Sequence, residues 1–171
     1  MAAHVARRVE KLKREEPVET LRGKSLYARL AQDLTPAFQP GARIVEVRFA
    51  GPTEGFLVPR EGAVATEAAR LCKAAQKDGA AAAAVWVERN FHAGDYAHLE
   101  AARAACPDFL LIARDIIVDP WQLERCRAAG ADGVELSPDF LGAALPATIA
   151  VAKSLGLTPV IWLSDGSPRL A

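Results

Sequence analysis

The chain has 171 residues, of which 51% are hydrophobic and 25% charged, and its 21 basic and 21 acidic side chains balance to a net charge of zero. That length buries one good core and is too short for two ordinary domains, and the composition excludes an intrinsically disordered chain. Zero net charge offers no broad field to nucleic acid or an anionic membrane and eases association, so a protein partner is expected rather than a polynucleotide.

Residues 1–16 hold no apolar core of signal-peptide length, and no run of about 18 apolar residues occurs, which predicts a cytoplasmic protein without membrane insertion. In chain order, Ala2 to Glu16 sets Val5, Val9 and Leu12 at helical spacing among Arg, Lys and Glu. This predicts an amphipathic helix ending before Pro17, read as a solvated charged face. A second short helix is expected near Ser25 to Leu34, then a linker to Pro40, so residues 1–40 form a helical extension ahead of a domain at 41–171.

From Arg43 onward, apolar runs of strand length alternate with helical stretches, the pattern of parallel strands joined by crossover helices. Five strands are predicted, near 43–50, 81–88, 108–114, 132–136 and 158–163, with helices near 63–77, 96–105, 120–129 and 141–155. Gly79, Gly130 and Gly156 fall where helix C-caps belong, because glycine takes the left-handed conformation cheaply. Cys72, Cys106 and Cys126 are odd in number and widely spaced, as ordinary buried thiols would be. His4, His92 and His98 lack zinc-ligand spacing with them, and no glycine-rich phosphate loop or nucleophile elbow occurs, so neither metal nor cofactor is expected.

The segment Arg43-Ile-Val-Glu-Val-Arg-Phe-Ala-Gly-Pro-Thr-Glu-Gly55 resembles the first strand and loop of the indole-3-glycerol-phosphate synthase family, usually close to Ile-Ala-Glu-Ile-Lys-x-Ala-Ser-Pro-Ser-x-Gly. Glu46 stands at the family's glutamate, Arg48 at its lysine, and Gly51 and Thr53 at its two serines. The run from Ala81 to Gly94 is similar to the family's second unit, matching at Glu88 and Phe91, with His92 replacing an aromatic. Phe109 to Leu123 is the most specific match: Asp115, Ile117, Asp119 and Gln122 keep register, Trp121 replaces tyrosine, and Arg114 takes the place of a catalytic lysine. Arg127 to Val134 and Leu155 to Ser164 resemble the entries to strands four and five, with Trp162 at a glutamate position and Ser164 at a histidine position. The likeness runs from about Ala6 to Leu163, and the family continues through further strand–helix units.

The resemblance implies a partial (β/α)8 barrel of about five parallel strands. It implies catalytic positions at Glu46, Arg48 and Arg114, two of them substituted, and substrate-binding positions at Thr53, Glu88, Phe91, His92 and Trp162. Family enzymes decarboxylate, ring-close and dehydrate a phosphorylated carboxyphenylamino-deoxyribulose, with lysines and glutamates moving protons. Arginine stays protonated at any working pH, so Arg48 and Arg114 suit holding a small anion better than giving up a proton, and Trp162 cannot titrate. Each also has a plain reading: Glu46 paired with Arg48 or Arg114, the arginines paired with Glu46, Glu88 or Glu135, and His92 as a polar loop residue.

Five strands are not expected to close alone. The inward face, assigned to Ile44, Val85, Leu111 and Val160 or their neighbours, and both sheet edges would need cover by a second copy, by the N-terminal helices or by another protein. Covering several hundred Å2 at about 25 cal/mol per Å2 is worth on the order of 10 kcal/mol before association costs. The expectation is a non-catalytic, synthase-like subunit acting as a structural or protein-interaction module in an oligomer or larger complex. The alternative is an indole-3-glycerol-phosphate synthase completed by oligomerisation or a partner chain.

Overall fold

The computed structural model describes residues 2–163 and 168–171. Helix α1 (Ala2–Glu15) turns Val5 and Val9 into the core, so the expected solvated face is corrected to a docking face. Its tail is fixed by Lys13 to Asp119 at 2.8 Å and by the Trp121 indole N–H to the Glu16 carbonyl at 2.9 Å. Helix α2 (Val18–Arg22) follows and buries Leu21. The helix expected near Ser25 to Leu34 is only a 3-10 turn at Ser25–Ala28. Beyond it the carboxylate of Asp132 captures both the Arg29 guanidinium and the Gln32 N–H, which holds this stretch against the sheet instead.

The sheet begins with β1 (Ile44–Val47), followed by a tight hairpin of β2 (Ala50–Gly51) and β3 (Gly55–Phe56) that shortens the predicted first strand. Helix α3 (Ala65–Lys77) leads to β4 (Ala82–Trp86), then α4 (Arg89–His92) and α5 (Tyr96–Ala105). Strand β5 (Leu110–Arg114), α6 (Pro120–Ala128) and β6 (Gly133–Leu136) come next. Helices α7 (Pro138–Leu141) and α8 (Leu145–Ser154) precede β7 (Thr158–Trp162) and β8 (Pro168–Leu170). The order β1-β4-β5-β6-β7 is parallel throughout, with β8 added antiparallel on the outer edge of β7. The five predicted parallel strands are therefore present, in the arrangement of a partial barrel. Gly79, Gly130 and Gly156 all have positive φ, at 74°, 86° and 74°, as the ends of α3, α6 and α8 require.

Strand alternation divides the core in two. Val47, Val85, Leu111, Ala113, Val134 and Leu136 pack with the helices in the larger cluster. Ala82, Ala84, Leu110, Ile112 and Val160 form a second cluster, with Ile44 packed against it. Ile44 and Val160 are thus inward as expected, and on β4 and β5 the inward positions fall to the neighbours Ala84, Leu110 and Ile112, while Val85 and Leu111 themselves belong to the helix-facing phase. That inward face is covered at its lower half by Leu34, Ala37 and Phe38 of the N-terminal segment. Gly133 makes the fit possible, since a Cβ there would collide with Leu34 and lie 2.6 Å from the Thr158 carbonyl. Among the described residues no helix is long and apolar enough to cross a membrane.

Candidate functional site

Two residues beyond the inward apolar layer, toward the C-terminal strand ends, the same phase carries Glu46, Trp86, Arg114, Glu135 and Trp162. Beneath them is a cavity of about 240 Å3. Its floor and walls are apolar, with Phe38, Ile44, Ile112 and Val160 among them, and its polar rim is Glu46, Arg114 and Glu135. A largely apolar pocket with a few convergent polar groups is the ordinary form of a small-molecule site.

Arg114 is the hub of that rim. Its Nη1 donates to Glu46, its Nη2 donates to Glu135 at 3.2 Å, and its Nε pairs with the second Glu135 oxygen. Its guanidinium carbon lies 4.5 Å from the ring centroid of Trp86 and 4.5 Å from that of Trp162, so the cation is held between two indole faces. Trp86 donates its indole N–H to Glu46 at 2.6 Å and stacks on His92 at 3.5 Å and 7°. The result is a stack of planar groups, His92, Trp86, Arg114 and Trp162, of which Arg114 and Trp162 line the cavity. Arg48 lies to one side, pairing with Glu46 at 3.2 Å and Glu54 at 2.8 Å.

These environments divide the chemistry. The Arg48 guanidinium beside Glu54, helped by the Thr53 hydroxyl, pulls that carboxyl down to about 2. Burial pushes the Glu135 carboxyl above the usual glutamate range, against the attraction of Arg114. A guanidinium gives up no proton under working conditions, so proton transfer at this rim falls to carboxyl groups. Burial likewise pushes the Cys72 thiol up to about 12, and all three cysteines are buried and free, so none is a nucleophile.

Of the sequence-derived positions, Glu46, Arg48, Arg114 and Trp162 come together, with His92 behind Trp86. His92 is buried at 7% exposure rather than being a polar loop residue, because its ring is covered by Trp86 and its Nδ1 lies 3.3 Å from Glu88. Glu88 is turned away from the cavity and caps α4, accepting the N–H groups of Asn90 and Phe91 at 2.7 Å each. Phe91 meets His4 edge-on at 6.2 Å, and Thr53 sits on the exposed hairpin donating to Glu54. Asp119 and Gln122, within the most specific sequence match, form the capping box of α6, while Asp115 is buried and accepts from Tyr96 and Gln122. Ser164 lies outside the described residues. Sequence reasoning missed Trp86 and Glu54, and used Glu135 only as an ion-pair partner; period-two spacing from Ala84 and Gly133 would have placed Trp86 and Glu135 on the inward face. Among the described residues no group of three His, Cys, Asp or Glu side chains is placed to hold a metal ion.

A family model described as indole-3-glycerol phosphate synthase matches residues 1–168. An indole-3-glycerol phosphate synthase of Aromatoleum aromaticum is 37% identical over 127 residues, covering 74% of this chain and 46% of that protein. One from Roseiflexus castenholzii is 30% identical over 93% of this chain and 61% of that protein, and one from Burkholderia cenocepacia is 34% identical over 92% and 64%. The chain thus spans between 46% and 64% of the length of these relatives.

Proposed function

The chain belongs to the indole-3-glycerol-phosphate synthase family, and on that premise we propose that its strand-end cluster is part of a synthase-type site, with the sheet completed by self-association or by strands from another chain. Its substrate class would be the family's phosphorylated carboxyphenylamino-deoxyribulose, handled in the cytoplasm. The names of its relatives favour this reading, and the observation that carries it is the gathering of Glu46, Arg114 and Glu135 around one apolar cavity at the C-terminal strand ends. Arg114 and Arg48 would hold and polarise anionic groups of the substrate, while Glu46 and Glu135 supply the groups able to exchange protons.

A specific observation favours a second reading, a non-catalytic interaction module. Both arginines are already engaged by carboxylates of the chain itself, Arg48 by Glu46 and Glu54, Arg114 by Glu46 and Glu135. An incoming anion would have to displace them. The deciding experiment supplies the substrate to the purified chain, follows indole fluorescence, and measures solution mass by light scattering. Turnover that disappears in Glu46→Gln and Arg114→Ala supports the synthase reading. Absent turnover from a discrete oligomer or complex supports the module.

A further inference from the structure

Of the charged groups that line the strand-end cavity, Glu46 and Glu135 are acidic and only Arg114 is basic. The ion-pair cluster at the rim has the same imbalance, because the carboxylates of Glu46, Glu54 and Glu135 share the guanidiniums of Arg48 and Arg114. The shortage of positive charge falls on Glu135. Arg48 serves Glu46 and Glu54, and Glu46 also accepts the Trp86 N–H, whereas Glu135 has Arg114 as its one donor among the described residues. Burial pushes the Glu135 carboxyl up, and the charge of Glu46 adds to that push against the pull of Arg114.

A count of acceptor positions leads to the same residue. At the opposite end of the sheet the carboxylate of Asp132, fully buried, takes two donors on each oxygen. Oδ1 accepts from Arg29 Nη2 at 2.6 Å and the Gln32 N–H at 2.9 Å, and Oδ2 from Arg103 Nη2 at 2.6 Å and the Leu111 N–H at 2.9 Å. Glu135, at 8% exposure, takes one donor on each oxygen, both from Arg114, and keeps an acceptor position on each. The floor below it, with Phe38, Ile44, Ile112 and Val160, gives a water molecule few partners but suits an apolar body. An anion entering here meets two carboxylates and has to displace one of them from Arg114.

We propose that the cavity binds a small organic ammonium, with its charged head on Glu135 and its apolar body against Phe38, Ile44, Ile112 and Val160. An ammonium brings three N–H donors and the positive charge that the rim lacks, and its hydrogen bonds to a carboxylate are of the strong, charge-assisted kind. The cavity of about 240 Å3 lies below the roughly 300–1,000 Å3 of pockets for drug-sized molecules, which limits the body to about one ring. This goes beyond the synthase reading, which sets anionic groups on the arginines, and does not rest on it.

Isothermal titration calorimetry of the full chain at neutral pH with phenethylamine, phenethyl alcohol and phenylpropionate tests this, since the three share a phenylethyl body and differ in the charge of the head. The amine should bind at least about tenfold more tightly than the alcohol, and the acid should give no heat of binding. Glu135→Gln should bring the amine down to the affinity of the alcohol, because the amide keeps the shape and loses the charge. Equal affinity for amine and alcohol, no binding by any of the three, or an amine preference undiminished in Glu135→Gln would overturn the proposal. Tighter binding of the acid would overturn it too, and would favour the anionic substrate of the synthase reading. Should Glu135→Gln not fold, Val160→Phe fills the floor and leaves the carboxylates in place; it should abolish amine binding, and retained binding counts against the site. Turnover plays no part in these measurements, so failure here leaves the synthase reading standing, and failure of that reading leaves this one.

Discussion

The two ends of the sheet carry ion clusters of opposite design. At the N-terminal strand ends Asp132 is sealed from solvent, saturated with donors and fixed to backbone groups on both sides. At the C-terminal ends Glu46 keeps 37% of its side chain exposed, with Glu135 at 11% and Arg114 at 10%, and the pairs border a cavity. The first cluster ties the N-terminal segment to the sheet. The second can exchange partners, which is what a site that admits a ligand must do.

If that distinction holds, Asp132→Ala has the largest effect. It strands Arg29 and Arg103 and should cost about 3–5 kcal/mol in urea unfolding; a loss near that of a surface change would place both clusters in one class. Arg114→Met should cost less, about 1–3 kcal/mol, because Glu46 is wetted and Glu135 can take up a proton.

The pH dependence of stability refines this. Glu135 has a raised folded-state pKa, so its contribution is complete below the ordinary glutamate value of about 4.3 and is lost as pH climbs through the raised value. Glu135→Gln should flatten that part of the profile, and an unchanged profile would assign the titration elsewhere. Glu54 has the opposite sign: its contribution is present above the ordinary value and lost only as pH falls toward about 2.

The smallest effect belongs to Gly51→Ser. A Cβ there would collide with the ends of the Glu54 and Arg48 side chains. Both can swing away, so the cost should stay below about 0.5 kcal/mol while the Arg48–Glu54 pair opens. Loss of more than that would mean the hairpin is as rigid as the Asp132 end.

The parallel strands and most helices were readable because apolar runs and glycine stops repeat with the right periods. What the sequence hid was phase and long-range capture. Val85 and Ala84 are equally apolar, and only packing against Phe38 and its neighbours decides which faces inward. The stretch after Ala28 has helical composition, but Asp132, about a hundred residues away, takes its donors instead. Glu46, Arg114 and Trp162 were identified through family likeness, whereas Trp86 and Glu54 occupy positions where that likeness offers no guide.

The attachment of the N-terminal segment has a consequence for biosynthesis. Lys13, Glu16 and Arg29 find their partners 106, 105 and 103 residues later in the chain. At ribosomal speeds the first helices would wait roughly 5–20 s before their docking surface has been made. Over that interval the apolar stripe of Val5 and Val9 lacks the surface that buries it in the finished fold.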